Sequence, residues 1–300
     1  MALSSGTAAV HLGLLNCGVK PGDEVIVQSF TFCASTHPVT YLGATPVLVD
    51  SELDTWNIDP ELLEKAIIDR KEKTGKYPAA IVPVALYGMP YKADRIMEIA
   101  NKYGIPVVED AAEGFGSKYK GQVLGTFGKY GVLSFNGNKM ITTSGGGALI
   151  TEDEELLADV PGIHVHSQPN TGEYDSNYWL CTITIDENVK VKGQEDAYKT
   201  IVTGAVGGAA GVIHAAASAH TDCEPNANVE AMRVALDKAQ IEVRPVWKPM
   251  HKQPCYKDAP VYVNGVSEAL FKVGMCLPAG PYVSDDDVRY IVDTIKENIL

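Results

Sequence analysis

The first half of this chain alternates between short, continuous aliphatic runs and segments with helical periodicity. The aliphatic runs are not interrupted by a polar residue at every second position, which is typical of strands that are covered on both faces. This alternation predicts an α/β fold with a mostly parallel sheet that is covered by helices. The predicted strands lie at residues 24–27, 44–50, 79–84, 105–110, 131–135 and 148–151.

Composition narrows the kinds of partner that the chain can have. The net charge is −13 over 300 residues and no Lys/Arg-rich run occurs, which disfavours binding to nucleic acid. The six cysteines are scattered without zinc-ligand spacing, so we expect free thiols and no metal site. No apolar run approaches the roughly 20 residues that a membrane helix needs, and no signal segment opens the chain. We therefore expect a cytoplasmic protein without a membrane partner.

A single lysine, Lys139, lies between a short apolar run and the glycines 145–147, with small and hydroxyl residues on both sides. The predicted strand 131–135 delivers Ser134 and then Lys139 to one region. A lysine that is desolvated in a polar pocket loses its proton readily and can form a Schiff base with a carbonyl. An ordinary loop lysine before a glycine-rich turn has the same local sequence, so this segment alone leaves both interpretations open.

Two further features are expected at the same edge of the sheet. The segment Ser5-Gly6-Thr7 leads into a helical pattern, and the free N–H groups of a helix N-terminus can bind an anion. Asp110 ends the predicted strand 105–110, and ligands of open α/β sheets sit at the carboxyl ends of strands. Its carboxylate could pair with a cationic ring nitrogen of a ligand. A plain helix cap is the alternative for both features.

Several short motifs occur together and in order, and the set is more specific than any one of them. They are Ser5-Gly6-Thr7, Phe30-Thr31-Phe32, Glu109-Asp110-Ala111-Ala112-Glu113, Phe127-Gly128-Lys129-Tyr130-Gly131, Ser134-Phe135-Asn136-Gly137-Asn138-Lys139 and the segment 243–251. This set resembles the DegT/DnrJ/EryC1/StrS family of pyridoxal phosphate-dependent nucleotide-sugar aminotransferases. The resemblance implies fold type I of the aspartate aminotransferase superfamily, with a large α/β domain and a smaller α+β C-terminal domain.

Carried over to the matching positions, the resemblance implies four roles around the cofactor ring. Lys139 would form the Schiff base with pyridoxal phosphate and later move the proton between substrate and cofactor. Asp110 would pair with the protonated ring nitrogen, which keeps the ring an electron sink. Phe32 would stack on the ring, and Glu113 would lie near its phenolic oxygen, where many relatives have glutamine.

The other implied roles concern the phosphate and the substrate. Gly6, Thr7 and Ser134 would bind the cofactor phosphate. Arg244 and His251 lie in an Arg-Pro…Pro…His motif that approaches the substrate side of the site in this family. A structural arginine and a surface histidine are the alternatives for these two positions.

The reaction implied by the resemblance has two halves. An amino acid, usually L-glutamate, gives its amino group to the cofactor, and the amino group then passes to a keto group of a nucleotide-linked sugar. The segments 136–139 and 248–251 resemble those of enzymes that act on UDP-linked 4-keto-6-deoxy sugars. Family sites are built across a two-fold interface, so the resemblance also implies a homodimer.

The chain is shortened relative to the family. We expect a large cofactor-binding domain at residues 1–160, without its N-terminal part, and a shortened, partly atypical C-terminal domain at 161–300. The segment 160–175 lacks a Gly-Tyr-Asn-Tyr-Arg-like motif, whose asparagine reaches the cofactor of the partner subunit. The glycine spacing in 200–211 is too irregular for a nicotinamide site. The alternative to a working enzyme is a catalytically compromised relative that binds the cofactor or forms a dimer.

Overall fold

A computed structural model describes residues 1–150, 174–175, 177, 179–198, 223–278 and 283–300. The chain forms two compact units, which are treated separately below. The first comprises Met1–Trp179 and Pro249–Ser267, and the second comprises Leu180–Lys248 and Glu268–Leu300. The glycine-rich segment 200–211 and most of the segment 160–175 lie outside the described residues.

The described residues form fourteen strands and seven α-helices, and the six predicted strands are among them. The strands are β1 (Ala2–Leu3), β2 (Glu24–Gln28), β3 (Thr45–Val49), β4 (Ala80–Val82), β5 (Val108–Asp110), β6 (Lys118–Tyr119), β7 (Gln122–Val123), β8 (Tyr130–Ser134), β9 (Gly147–Ile150), β10 (Tyr174–Asp175), β11 (Cys181–Thr184), β12 (Arg244–Pro245), β13 (Val261–Tyr262) and β14 (Gly274–Leu277). The helices are α1 (Gly6–Asn16), α2 (His37–Tyr41), α3 (Pro60–Thr74), α4 (Ala93–Tyr103), α5 (Ala227–Lys238), α6 (Val266–Val273) and α7 (Asp285–Asn298).

The first unit is built on one sheet with the strand order β13-β3-β2-β4-β5-β8-β9-β1. Its two halves are four-stranded ladders, and the parallel bridges Ile81–Val107 and Val84–Asp110 join β4 to β5. Among the described strands of this sheet, only β9 runs against the others, because it pairs antiparallel with both β8 and β1. The expected mostly parallel sheet is therefore confirmed.

Both faces of this sheet are covered, as the continuous aliphatic runs predicted. Along β2, Ile26 packs in the core that contains Ile67 of α3 and Ile96 of α4. Its neighbours Val25 and Val27 belong to the core on the opposite face, with residues of α1. These side chains are fully buried, and burial of each contributes about 1.5–3 kcal/mol. Alternate residues of one strand thus hold helices on two sides of the sheet.

The second unit has a three-stranded antiparallel sheet of order β11-β14-β12, and α5 and α7 contribute to its core. Met232 and Leu236 of α5 pack there with Ile291 of α7. The Ser284 side chain caps the start of α7 in a capping box with Asp287. Among the described residues, no helix is long and apolar enough to cross a membrane.

The observed division of the chain differs from the expected boundary at residue 160. The segment Pro249–Ser267 belongs to the first unit, because β13 extends the large sheet by pairing in parallel with β3. The buried Asp50 carboxylate, just after β3, also accepts hydrogen bonds from the backbone N–H groups of Asn264, Gly265 and Ser267. A single carboxylate thus fastens a distant part of the chain to the first unit.

Candidate active site

The polar residues singled out in the first unit gather at the carboxyl edge of its parallel strands. Ser29 follows β2, Asp110 ends β5 and Ser134 ends β8. Gly6 begins α1, and two residues separate it from the end of β1. Parallel strands end on the same side of a sheet, so this edge collects side chains that are far apart in sequence.

The N-terminus of α1 lies against the end of β8. Ser5 caps the helix, since its side-chain oxygen accepts a hydrogen bond of 3.1 Å from the N–H of Ala8. A Cβ atom placed on Gly6 would lie 2.9 Å from the Cβ of Ser134, closer than such atoms approach. Glycine at this position therefore lets the helix end and the Ser134 hydroxyl come together, with Thr7 in the same first turn. Together they form the geometry of an anion site.

Asp110 is buried, with an exposure of 4%. Its Oδ2 accepts a hydrogen bond of 2.6 Å from the hydroxyl of Ser35, and its Oδ1 accepts one of 3.1 Å from the N–H of Ala112. Burial raises the pKa of the Asp110 carboxyl, and these two hydrogen bonds and the charge of Lys139 oppose the rise. The Ser35 oxygen also lies 2.8 Å from the hydroxyl oxygen of Thr31.

Glu113 is the second buried carboxyl group at this edge, on the loop after β5. Its Oε2 accepts a hydrogen bond of 2.8 Å from the backbone N–H of Tyr87, and its Oε1 lies 3.4 Å from the Nζ of Lys139. Burial raises the pKa of the Glu113 carboxyl, and Lys139 opposes this rise. The pair is desolvated, because the side chains are 3% and 11% exposed.

Lys139 lies in the loop after β8, and its amine contacts an aromatic ring as well as Glu113. The Nζ lies 4.2 Å from the centroid of the Trp179 ring, within the range of a cation–π interaction. The Trp179 Nε1–H donates to the carbonyl of Asn138, at 2.8 Å, which fixes the ring beside the lysine. With 11% of its side chain exposed, Lys139 is enclosed by Glu113 and Trp179 and does not extend into solvent.

The remaining predicted site residues, Phe32, His251 and Arg244, lie in three different parts of the structure. Phe32 follows Thr31 in the loop after β2 and is 45% exposed, so its ring is accessible to a ligand. His251 belongs to the same unit, and its Nδ1 lies 2.6 Å from the hydroxyl oxygen of Ser29. Arg244 lies on β12 of the second unit, where its guanidinium pairs with Glu242. The structure therefore brings His251 to the carboxyl edge and gives Arg244 a local ion pair.

Sequence reasoning missed several residues that contact the predicted ones. Ser35 lies outside every motif singled out in the sequence, and Thr31 was quoted only as part of the motif Phe30-Thr31-Phe32, although their four-residue spacing after a strand was a usable signal. Trp179 gave no signal, because it is 40 positions from Lys139 in the sequence. Asn177, whose side chain donates to the carbonyl oxygens of Glu113 and Phe115, gave none for the same reason.

The residues present fit pyridoxal phosphate. The crowded Gly6 and the Ser134 hydroxyl suit a phosphate, because a larger residue at position 6 would fill this space. The buried Asp110 carboxylate suits a protonated ring nitrogen, and the largely desolvated Lys139 amine suits a carbonyl carbon. Within the described residues, no group of three or more His, Cys, Asp or Glu side chains could hold a metal ion.

Comparison with known proteins agrees with this geometry. The sequence profile of the DegT/DnrJ/EryC1/StrS aminotransferase family matches residues 1–192 and 198–296. EpsN of Bacillus subtilis (strain 168) is 38% identical over 320 residues, covering 98% of this chain and 82% of that protein. GDP-perosamine synthase of Escherichia coli O157:H7 is 34% identical over 314 residues, covering 98% of this chain and 84% of that protein.

A solved structure has the same fold. The crystal structure of a DegT DnrJ EryC1 StrS aminotransferase from Brucella abortus matches with a TM-score of 0.77 and 24% identity, over 99% of this chain and 85% of that one. At this identity the likeness shows the fold alone, and the family profile covers the segments that carry Lys139 and Asp110. The chain therefore belongs to the DegT/DnrJ/EryC1/StrS aminotransferase family, which confirms the fold type, the enzyme class and the pyridoxal phosphate cofactor expected from its sequence.

Proposed function

We propose that this protein transfers an amino group from an amino acid, L-glutamate, to a keto group of a nucleotide-linked sugar. The acceptor that we propose is a UDP-linked 4-keto-6-deoxy sugar. The observation that carries the proposal is the desolvated Lys139 amine, which lies beside the Glu113 carboxyl at the same sheet edge as the buried Asp110.

Each residue at this edge of the sheet would have a separate role in the reaction. Lys139 would hold the cofactor through its Nζ and, once released from it, carry a proton between the substrate carbon and the cofactor. Asp110 would pair with the ring nitrogen, and the bound pyridoxal phosphate supplies the electron sink for the carbanion. Glu113 would act near the phenolic oxygen of the ring, and its Oε1 also lies within reach of a proton on the Lys139 amine.

Other groups would orient the cofactor and the substrate. The first turn of α1, with Gly6 and Thr7, and the Ser134 hydroxyl would bind the phosphate. Phe32, which is exposed and adjacent in sequence to the buried Thr31, would stack on the ring. His251 and Arg244 would act on the substrate side, and for His251 its contact with Ser29 at the end of β2 supports this role.

The proposed acceptor class is supported by a relative. A protein that is 34% identical over 98% of this chain is named GDP-perosamine synthase, and this name supports a nucleotide-linked sugar as the acceptor class. That name concerns a GDP-linked sugar. The substrate test below therefore compares UDP-linked with GDP-linked sugars.

Absorbance spectroscopy tests the covalent part of the proposal. Mixing the purified protein with pyridoxal phosphate should produce an absorbance band near the visible edge, and Lys139→Ala should abolish it. Lys129→Ala is a matched control, because Lys129 also comes from a loop that adjoins β8 and is not proposed to react. A band that persists unchanged in Lys139→Ala would contradict the assignment of this lysine.

Substrate specificity is tested in two half-reactions. L-Glutamate should convert the bound cofactor to its amine form, which is measured as the loss of the same absorbance band. Other amino acids should cause this loss more slowly. UDP- and GDP-linked 4-keto-6-deoxy sugars should then restore the band, with the UDP-linked sugar faster. A Lys139-dependent band that no amino acid removes would instead support a catalytically compromised relative.

We also propose that the active species is a homodimer whose sites take groups from both copies. Sedimentation or light scattering of the cofactor-loaded protein should give twice the mass of the 32.2 kDa chain. A monomer that converts glutamate at the full rate would contradict this part of the proposal and leave the chemistry intact.

A further inference from the structure

Two hydroxyl groups connect the loop after β2 to the Asp110 carboxylate. The Thr31 and Ser35 oxygens lie 2.8 Å apart, and the Ser35 hydroxyl donates to Oδ2 of Asp110 at 2.6 Å. Thr31 and Ser35 are each 1% exposed and Asp110 is 4% exposed, so water has almost no access to the three groups. The two hydroxyls therefore make a continuous hydrogen-bonded path that ends on the carboxylate.

Counting protons fixes the direction of this path. A serine hydroxyl has one proton, and Ser35 gives it to Asp110. Thr31 must then be the donor in the bond between the two hydroxyls, because Ser35 has only a lone pair left for it. Both bonds consequently point toward Asp110 whenever its carboxyl is ionised. Hydrogen bonds in such a chain polarise one another and strengthen the last bond.

The same loop presents its side chains in two directions. Thr31 and Ser35 are buried toward Asp110, whereas Phe32 between them is 45% exposed. The loop thus combines an accessible aromatic ring with a hydroxyl path to the carboxylate. The charged groups that act on this carboxylate are Lys139, whose charge opposes the effect of burial, and Glu113, which interacts with Asp110 as a like charge.

We propose that Thr31 and Ser35 are positioning residues that form a one-way hydroxyl chain and hold the buried Asp110 in its anionic form. An anionic Asp110 is what a protonated ring nitrogen of the cofactor requires, and this consequence rests on the function proposed above. The chain itself belongs to the protein without cofactor. Neither hydroxyl touches the reacting atoms in this scheme, so both act through Asp110.

The protein offers a matched control beside this chain. Thr36 is adjacent to Ser35, is fully buried, and its hydroxyl has no hydrogen-bond partner among the described residues. Thr36→Val and Thr31→Val therefore make the same chemical change at two buried threonines of one segment, but only Thr31→Val shortens the hydroxyl chain. Thr31→Ser keeps the hydroxyl and removes a methyl group, so it reports on packing alone.

The test measures the titration of Asp110 in the cofactor-free protein. Aspartate labelled with ¹³C in the side-chain carboxyl is incorporated, and the Asp110 signal is assigned by its absence in Asp110→Asn. Ser35→Ala should raise the proton affinity of Asp110 about tenfold, the size expected for loss of a hydrogen bond to a charge. Thr31→Val should raise it about two- to threefold, through the weakened Ser35 bond. Thr31→Ser and Thr36→Val should titrate like the wild type.

Two results would overturn the inference. One is a Ser35→Ala protein that titrates like Thr36→Val, which would show that the hydroxyl does not stabilise the anion. The other is equal titration of Thr31→Val and Thr31→Ser, which would remove Thr31 from the chain. The Thr31 side chain makes its hydrogen bond to Ser35 and not to Asp110. The comparison of Thr31→Val with Thr31→Ser therefore still tests the inference if Ser35→Ala fails to fold.

A second measurement separates this inference from the proposed function. In protein loaded with pyridoxal phosphate that carries ¹⁵N in its ring, the wild type should show the chemical shift of a protonated ring nitrogen. Ser35→Ala should move that shift toward the neutral form, and Thr36→Val should not. If no Lys139-dependent absorbance band forms, the proposed function fails while the carboxyl titration still decides the hydroxyl chain. If the Lys139-dependent band forms but the variants titrate like the wild type, the hydroxyl chain is refuted and the proposed function stands.

Discussion

At the scale of single residues, the site is a set of polar groups that water barely reaches. Glu113 and Lys139 face each other at 3.4 Å, and the Trp179 ring contacts the lysine amine. A buried carboxyl group is costly to ionise, and its cost is only partly offset by one nearby cation. The cofactor-free protein therefore carries an electrostatic cost at this point that depends on pH.

Replacing Glu113 with glutamine should make the stability of the cofactor-free protein less dependent on pH. Burial raises the pKa of Glu113 in the folded state, so between its unfolded and folded pKa values the folded protein binds more protons. Its contribution is full below the unfolded pKa of about 4.3 and is lost as pH rises through the folded value. Urea unfolding in steps from about pH 4 to about pH 8 should show a smaller fall in the free energy of unfolding for Glu113→Gln. Glu72→Gln, on an exposed position of α3, should keep the wild-type slope.

Replacing Gly6 with alanine should destabilise the protein and weaken phosphate binding. The new Cβ atom would lie 2.9 Å from the Cβ of Ser134, so α1 and β8 must move apart. We expect a loss of about 1–2 kcal/mol in the free energy of unfolding, the overpacking cost less the helix propensity gained. The matched control is Gly137→Ala, whose Cβ would meet no atom within 4 Å. Equal unfolding midpoints for the two variants would contradict the crowding at α1.

At the scale of elements, one buried glutamate holds the loop that leads into β8. Glu109 accepts hydrogen bonds from the backbone N–H groups of Gly125, at 2.9 Å, Phe127, at 2.5 Å, and Gly128, at 2.6 Å. It adjoins Asp110 in sequence, and successive strand residues point to opposite faces of a sheet. One residue of the pair is thus structural and the other belongs to the site.

Glutamine at position 109 should loosen this loop. Its amide nitrogen is a donor, and it would face backbone N–H groups that are also donors. We expect a loss of about 2–3 kcal/mol in the free energy of unfolding, as for a hydrogen bond to a charged group that is left unmade. Hydrogen exchange at residues 125–128 should accelerate in Glu109→Gln. In Glu98→Gln, which removes an exposed ion pair with Arg95 on α4, both measurements should stay near the wild type.

The sequence predicted elements well where a local pattern determined them. The continuous aliphatic runs predicted β2, β3 and β4, and the segment that begins with Ser5 predicted the start of α1. These features depend on neighbours in the chain. Contacts between distant segments, such as those of Ser35 with Asp110 or of Trp179 with Lys139, depend on how the strands are ordered, and no local pattern encodes that order.

At the scale of the whole molecule, the predicted boundary at residue 160 missed the return of the chain to the large sheet. Composition does not change at Pro249, and β13 has only two residues, too few for a strand signal. Asp50 helps to hold the segment Pro249–Ser267 in the first unit. Its carboxylate accepts four backbone hydrogen bonds, from Ser51, Asn264, Gly265 and Ser267.

Asparagine at position 50 should therefore release a segment that is more than 200 residues away in sequence. One oxygen of the pair becomes an amide nitrogen, which cannot accept the two N–H groups that it faces. Hydrogen exchange at residues 264–267 should accelerate by about tenfold or more, which corresponds to the loss of at least one charge-assisted hydrogen bond. Asp258→Asn, an exposed aspartate of the same segment, is the control. Unaltered exchange at 264–267 in Asp50→Asn would contradict the role given to this carboxylate.

The position of β13 at the border of the large sheet limits how the chain can be shortened. A fragment that ends at residue 179 would retain Lys139, Asp110 and the start of α1, but it would uncover the outer side of β3. The N–H groups of Leu48 and Asp50, which donate to Pro260 and Tyr262 at 2.8 Å, would then have no acceptor. An apolar strand with open hydrogen-bonding groups is a template for another copy of itself. Such a truncated protein should keep its cofactor ligands and nevertheless precipitate.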